Sequence, residues 1–480
     1  GVNTPRAALS GRPLPGARRV SFTVHPEGFV RAPKWTHLLT QFGQFLTHDI
    51  SFAQPPFFQT LGLPPSNCCE EPYRSSSPKC IPIFVPRDDP FYKTFNVSCL
   101  VLERNLPCFR CRLGFREQEN SRTSYIDGST VYGISKEQTD ALRSFSMGKS
   151  FLSLLKTQRI NDAELPPPSF EPEYDDCSIP NKTLLCFQTG DPRANQHPLL
   201  TSVQIIWLRQ HNRVARQLHA INPHWNDEML FQVAKRIVES QIQHVTYSEW
   251  LPEAVDVRTR VKHELNSLKN GYTRYDPTVD ATVSNEFTTA AFRFGHANVN
   301  GTFLLLARVA AWEPRVKLKD KYFDPFDFYK GILPRFVGGM MAQPQKAYSR
   351  FGDYGVTRFF GKNRNSSFGG DLFAIDIQRG RDHGIRGYAD YVKYCHGIKL
   401  RRFVDLYAYG LMSNDNARLY SKIYKDVRDI DFFSAGISEY PVPGAIAGPT
   451  FSCILAGMFH KLKYGDRFFY EHQRQAGSFT

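Results

Sequence analysis

The chain has no uninterrupted apolar run of membrane length; its best candidate, Gly444 to Phe459, is broken by Gly448, Pro449 and Gly457. No membrane span is therefore expected. Internal repeats and low-complexity tracts are also absent, which excludes repeat architectures. Lysine and arginine outnumber the acids, 60 to 46, for a formal charge of +14, yet they never gather into a block. Scattered charge of this kind argues against a dedicated nucleic-acid binder and leaves association with acidic surfaces as its expected use. Cys108-Phe-Arg-Cys111 has the spacing of half a zinc site, but a second such pair and histidines at finger spacing are missing. Neither RGD nor KGD occurs, so a cell-adhesion role has no visible support. No signal peptide opens the chain and Gly1 stands where an initiator methionine would, the pattern expected of a processed mature form.

What is present is material for a large core: 480 residues, 41% hydrophobic and 14% aromatic, enough for one large globular unit or two fused lobes. Ten cysteines, six of them between Cys68 and Cys111 in a proline-rich segment, point to an oxidising compartment. Sequons at Asn96, Asn181, Asn300 and Asn365 agree with secretion. Residues 1–33, with five prolines and four glycines, read as an extended arm laid over the body. Residues 50–122 read as a Cys- and Pro-rich loop region in which bridges replace regular structure.

Apolar spacing predicts a buried helix over Trp35 to Asp49, with Leu38, Leu39, Phe42, Phe45 and Leu46 recurring at three- and four-residue intervals. Gln44 and His48 then lie one turn apart on one face, as a base beside a cavity or as a core histidine satisfied by hydrogen bonds. In Thr123 to Gly133, oxygen donors alternate at Thr123, Tyr125 (through its carbonyl), Asp127 and Ser129. Asp49 could complete the set for calcium, which takes about six to eight hard oxygens; the alternative is a polar turn without an ion. Gly190-Asp191-Pro192-Arg193 leads to Pro198, which opens the strongest helical segment, with Leu199, Val203, Ile206, Trp207, Val214 and Leu218 as its apolar face. A second helix follows from about Asp227 to Gln243.

A further helix is expected from Ser284, a candidate N-cap, to His296, with Phe287, Ala291 and Phe294 facing inward. His296 beside Gly295 suits an axial ligand of haem iron, since the glycine lets something flat approach the backbone; it also suits a helix cap. Phe373 to Gly384 crowds Asp376, Arg379, Arg381 and Asp382 together after an apolar stretch, the pattern of a partly buried ion-pair network.

Taken in order, Phe42-Gly43-Gln44-Phe45-Leu46-Thr47-His48-Asp49, the Thr123 to Gly133 loop, Trp207-Leu208-Arg209-Gln210-His211-Asn212-Arg213, Phe292-Arg293-Phe294-Gly295-His296 and Gln378-Arg379-Gly380-Arg381-Asp382-His383-Gly384 make the chain resemble the animal haem peroxidases of the peroxidase–cyclooxygenase superfamily. It looks closest to the secreted invertebrate peroxidases of the peroxinectin kind. Each motif is weak alone; all of them in the family's order are specific, and they cover nearly the whole length. The resemblance implies a mainly α fold: a single large helical domain over residues 1–480 around a buried haem, with very little β and disulfide-stabilised loops. It implies a secreted enzyme that reduces hydrogen peroxide and oxidises small donors through a ferryl intermediate, with haem b and Ca2+ as cofactors.

By the same resemblance His48 matches the distal histidine, Gln44 the distal glutamine, Arg193 the distal arginine and His296 the proximal iron ligand. Asp49, Thr123, Tyr125, Asp127 and Ser129 match the calcium site, and Arg293 and Arg379 match arginines near the haem, where propionates need charge partners. A neutral His48 would take and return the peroxide proton, Arg193 would stabilise charge as the O–O bond breaks, and Gln44 would orient a water or small anion. Three departures matter. Thr47 and Gln196 stand where many vertebrate relatives esterify carboxylates to haem, so non-covalent haem is expected. His197 stands where one relative has a methionine link. Without such links chloride oxidation is not expected, whereas bromide, iodide, thiocyanate, phenols and catechols remain as donors. Asp376 stands where the family usually has asparagine beside the proximal histidine, either to accept its proton and push on the iron or merely to pair with an arginine.

The resemblance also implies the disulfides Cys177–Cys186 and Cys395–Cys453; in the crowded segment Cys68–Cys80 and Cys69–Cys99 are most similar to relatives, though the adjacent Cys68 and Cys69 could exchange partners, and Cys108 and Cys111 could close on each other or bridge a dimer. Two alternatives remain. A fatty-acid dioxygenase of the cyclooxygenase type would have a radical-forming tyrosine three residues before the proximal histidine, where this chain has Arg293. The other is a non-catalytic haem-binding or adhesion protein.

Overall fold

The computed structural model describes residues 4–53, 67–108, 114–145, 154–160, 163–169, 177, 184–306 and 314–479. Helix dominates, and among the described residues strands occur only as two-stranded antiparallel ladders. The mainly α expectation holds.

The extended arm expected over residues 1–33 needs correction, because α1 (Ala17–Val24) forms inside it. Ala17, Val20 and Val24 recur at helical spacing and are buried. The same helix buries Arg18, whose guanidinium lies 2.7 Å from both Asp89 and Asp371. Two carboxylates offset the cost of burying that cation, and they pin the arm to the body. The strand β1 (Arg31–Thr36) then pairs with β2 (Pro344–Lys346), Arg31 opposite Lys346 and Thr36 opposite Pro344.

This ladder sets where the pivotal helix α2 (His37–Ile50) begins. Trp35 and Thr36 belong to β1, so the helix starts later than its apolar spacing predicts; Trp35 instead donates its indole N–H to Glu253 at 2.7 Å. Phe45 and Leu46 are fully buried. Burial of each such side chain contributes about 1.5–3 kcal/mol. The helix ends where Ser51 turns extended.

Helix α3 (Pro198–Ile221) opens with proline at its first turn, and His197 is its N-cap, accepting from Leu200 N–H through Nδ1. Ile206, placed on its apolar face by spacing, is 38% exposed, and Ile205 is buried instead. Helix α4 (Asp227–Val245) is capped by Asn226, whose side chain accepts from Met229 N–H. Both helices pack into one hydrophobic cluster with α2 and with α5 (Asn285–Thr289).

The single helix expected from Ser284 to His296 is interrupted. α5 ends at Thr289, Ala290 adopts φ −133° and ψ −65°, and the chain continues as a 3₁₀ stretch, Ala291–Asn298. Ser284 is extended at the start but makes no side-chain cap. Phe287, Ala291 and Phe294 are buried as expected. In the last part of the chain α6 (Leu372–Asp382), α7 (Tyr388–His396), α8 (Phe403–Ala408) and α9 (Pro449–Tyr464) complete the shell. None of the described helices is long and apolar enough to cross a membrane.

Cys68–Cys80, Cys69–Cys99, Cys177–Cys186 and Cys395–Cys453 are bonded, as the resemblance implied. Cys108 is exposed, and Cys111 and the sequon Asn181 lie outside the described residues. Of the other sequons, Asn96 and Asn365 are exposed, but Asn300 is buried and donates from Nδ2 to the Pro344 carbonyl at 2.9 Å. Glycopeptide mass spectrometry of the protein expressed through a eukaryotic secretory pathway should find glycan at Asn96 and Asn365 and none at Asn300.

Candidate active site

A cavity opens between α2, the residues leading into α3 and the 3₁₀ stretch. Gln44, Thr47 and His48 from α2 line it, together with Gln196 and His197, and Phe294, Gly295 and His296 face them in the same cavity. Trp250, Tyr322 and Phe360 add aromatic wall. Two glycines matter. A Cβ on Gly43 would come within 3.0 Å of the Trp250 indole nitrogen, so glycine lets the indole close on α2. A Cβ on Gly295 would meet nothing within 4 Å, and the open space beside it is the cavity.

His48 is buried in this wall. Its Nδ1 is sealed from solvent without a hydrogen-bond partner. Burial, followed by the charge of Arg193, holds its pKa well below the ordinary histidine value, so the ring is neutral. Gln44 is fixed at both ends: Nε2 donates to Gln196 Oε1 at 2.9 Å, and Oε1 lies 2.9 Å from His197 Nε2. Burial lowers His197 to about 3, so His197 is neutral and donates this bond. Thr47 turns its hydroxyl back to the Gly43 carbonyl at 2.8 Å. The cavity therefore presents a hydroxyl and an amide at these two positions.

Arg193, expected to stabilise charge as the O–O bond breaks, is not among the residues that line the cavity. Its guanidinium is bound to Asp191 at 2.6 and 2.9 Å and donates to the backbone carbonyls of His48 and Ser51, both at 3.1 Å. Burial opposes ionisation of Asp191, but the charges of Arg193 and Arg122 outweigh it and hold its pKa well below the usual range. Arg193 thus anchors the end of α2 through the His48 carbonyl. Asp191, two residues earlier in the chain, was legible only as part of a turn motif.

His296 lies on the facing wall of the cavity, and behind it lies Asp376, fully buried. Nδ1 of His296 is 2.7 Å from Asp376 Oδ2, while Asp376 Oδ1 accepts from Arg293 Nη1 at 2.8 Å. One carboxylate therefore contacts both partners that the sequence posed as alternatives, the histidine and an arginine. Arg293 and His296 are three apart, and a 3₁₀ turn stacks such residues in one line, so both reach the same side chain. Arg293 also donates to the Thr288 carbonyl at 2.9 Å. Arg379 donates to the Glu103 carbonyl at 2.7 Å and to Asp382 at 3.0 Å. Neither arginine lines the cavity.

The calcium-like donors converge. Asp49 accepts from Gly128 and Thr130 N–H, each at 3.1 Å, and from the Ser129 hydroxyl. Asp127 accepts from the Thr123 hydroxyl at 2.9 Å and from Ser129 N–H at 3.1 Å, and the Tyr125 carbonyl lies 3.4 Å from Thr123 Oγ1. Burial and the charge of Asp127 push Asp49 up, and burial raises Asp127, so two nearby acids resist ionising together. A divalent cation relieves that strain. No cluster of three or more His, Cys, Asp or Glu side chains suited to a metal exists among the described residues, so the set depends on hydroxyl and carbonyl oxygens as well. That donor chemistry suits calcium rather than a softer metal.

Among the cavity's residues, Trp250, Tyr322 and Phe360 carried no sequence signal; each reaches the cavity from a segment far from the motifs. Fold and site together define a helical protein built around a cavity lined by three histidines, His48, His197 and His296, the last backed by a buried carboxylate. The chain belongs to the animal haem peroxidase family, whose model matches residues 1–480. It is 35% identical to a chorion peroxidase of Drosophila melanogaster, over 98% of this chain and 58% of that protein, and 34% identical to a peroxidase of the same fly, over 100% and 70%. It is 34% identical to the human peroxidasin homolog over 98% of this chain but 32% of that protein. Among solved structures, peroxidase A of Dictyostelium discoideum superposes with a TM-score of 0.78 at 26% identity, covering 98% of this chain and 88% of that one. An Oryza sativa fatty acid alpha-dioxygenase superposes with a TM-score of 0.71 at 17% identity, covering 97% and 74%, and shares the fold alone.

Proposed function

We propose that the protein is a haem peroxidase that reduces hydrogen peroxide and oxidises small donors, with haem b held non-covalently between His48 and His296. The observation that carries this reading is that both histidines line one cavity and His296 is hydrogen-bonded to buried Asp376. The residues fit a macrocycle: Gly295 leaves open space beside His296, and His48 lines the facing wall. Bound there, haem supplies the redox chemistry of iron. His48 takes the proton from peroxide at Nε2 and returns it to the departing oxygen, which its neutral ring allows. Arg193 holds the carbonyl of His48 and so sets where that ring stands. Gln44, braced by Gln196 and His197, orients a small polar guest. Arg293 stands where a cyclooxygenase-type enzyme would need its radical tyrosine, which favours peroxidase over dioxygenase.

Thr47 and Gln196 offer no carboxylate for an ester to haem, so the cofactor should leave the polypeptide completely on acidic acetone extraction. The purified protein should show a Soret band that shifts on adding hydrogen peroxide. A protein with no such band, or one that consumes oxygen with arachidonate, would overturn the reading. Bromide, iodide, thiocyanate, phenols and catechols are the proposed donors, and absence of chlorination at neutral pH is expected.

Calcium at Asp49, Thr123, Tyr125, Asp127 and Ser129 ties the loop to the end of α2, next to His48. At a hundredfold excess over Kd the ion would add about 2.7 kcal/mol of stability. Chelation should lower the melting temperature by several degrees, and Asp127→Ala should abolish that response. Secretion is the proposed localisation, supported by the disulfides and the exposed sequons.

A further inference from the structure

Away from the cavity, the end of α7 and the turn into α8 form a cationic face. Between Lys393 and Tyr409 the chain carries Lys393, Lys399, Arg401 and Arg402 against one carboxylate, Asp405. All four cations are exposed. Lys399, Arg401, Arg402 and Tyr409 line a broad surface cleft. Asp405 also borders it but is buried and turned into the fold, where Oδ2 accepts the backbone N–H groups of Arg401 and Arg402 at 2.8 and 2.9 Å. Arg402 is 79% exposed and makes only a loose ion pair with that carboxylate, at 3.7 Å, which leaves its other N–H donors facing solvent. Three tyrosines stand out of the same segment, Tyr394 at 79%, Tyr407 at 53% and Tyr409 at 54% exposure. The Cys395–Cys453 disulfide ties α7 to α9 and fixes the base of this face.

We infer that this cleft binds a sulfated polysaccharide, Lys399, Arg401 and Arg402 taking sulfates and Tyr409 stacking on a sugar ring. Guanidinium groups match tetrahedral oxyanions with paired N–H donors, and adjacent cations on a short rigid turn suit the close spacing of sulfates along a chain. Exposed tyrosines offer flat apolar faces that sugar rings cover, while their hydroxyls stay wet. Disulfides place the protein where polyanions are extracellular chains rather than nucleic acid. The surface is independent of the peroxidase reading, because none of its residues lines the cavity.

The test is retention of the full-length protein on immobilised heparin. Lys399→Ser, Arg401→Ser and Arg402→Ser combined should weaken binding on the order of 100-fold, with elution at lower salt and an unchanged melting temperature. A charge-matched control, Lys93→Ser, Lys156→Ser and Lys269→Ser combined, should elute like the native protein. Tyr409→Ala should reduce retention on heparin but not on a sulfonate resin. Equal shifts in the two triple variants would reduce the effect to net charge and overturn the proposal. So would equally strong, equally cleft-dependent binding to phosphatidylserine vesicles or single-stranded DNA, or a Tyr409→Ala variant that behaves like the native protein on heparin.

Discussion

His48→Ala should slow the reaction with hydrogen peroxide by about 10²–10⁴-fold, measured by stopped-flow absorbance, while the Soret band of the resting protein persists. The size of the effect follows from the absence of a substitute. Of the other ionisable groups lining the cavity, His197 is committed to Gln44, and His296 to Asp376. Tyr322 donates its hydroxyl to the Gly355 carbonyl at 3.1 Å, and burial raises its pKa well above the ordinary value, so it cannot serve as a base. The substitution leaves the backbone carbonyl of residue 48 in place, so the hydrogen bond from Arg193 and the end of α2 survive. A rate within a few-fold of the native enzyme would remove His48 from the proton transfer.

Asp376→Asn should raise the ferric reduction potential and reduce haem affinity or activity by about 10–100-fold, the usual cost of losing the partner behind a metal-bound histidine. An amide cannot draw the Nδ1 proton toward itself as a carboxylate does, so His296 would donate less charge. Arg293 shares the same carboxylate and tempers this effect. Arg293→Gln should therefore move the potential the opposite way, downward. Spectroelectrochemical titration of both variants separates the readings. If Asp376 serves only as a partner for Arg293, the two substitutions would unpair one another alike and neither would change the potential through His296.

The pivotal helix, α3 and α4 were all legible, because burial against a core leaves a three- and four-residue apolar rhythm that periodicity detects. Their boundaries were less so. Trp35 and Thr36 obey the helical rhythm but are claimed by β1, whose partner strand at Pro344–Lys346 lies far along the chain. Ile206 suited the apolar face on spacing, but the rotation of α3 against its neighbours buries Ile205 instead. Likewise Asn300 reads as a sequon, and only the packing of its amide on Pro344 shows that it is buried. Arg18 carried no mark of its role, since its partners Asp89 and Asp371 come from distant segments.

By itself the sequence determined the helical segments and the cysteine content of an oxidising compartment, because residue type and short-range spacing hold that information locally, and its motifs, through the family they resemble, singled out His48, Gln44, His296 and Asp376 as candidates. Only the tertiary structure decided that Asp376 serves His296 and Arg293 at once, that Arg193 braces the His48 carbonyl from outside the cavity, and that Trp250, Tyr322 and Phe360 wall it. Those relations depend on side chains brought together from remote positions, through a 3₁₀ break and a strand ladder whose energies come from packing rather than from local preference.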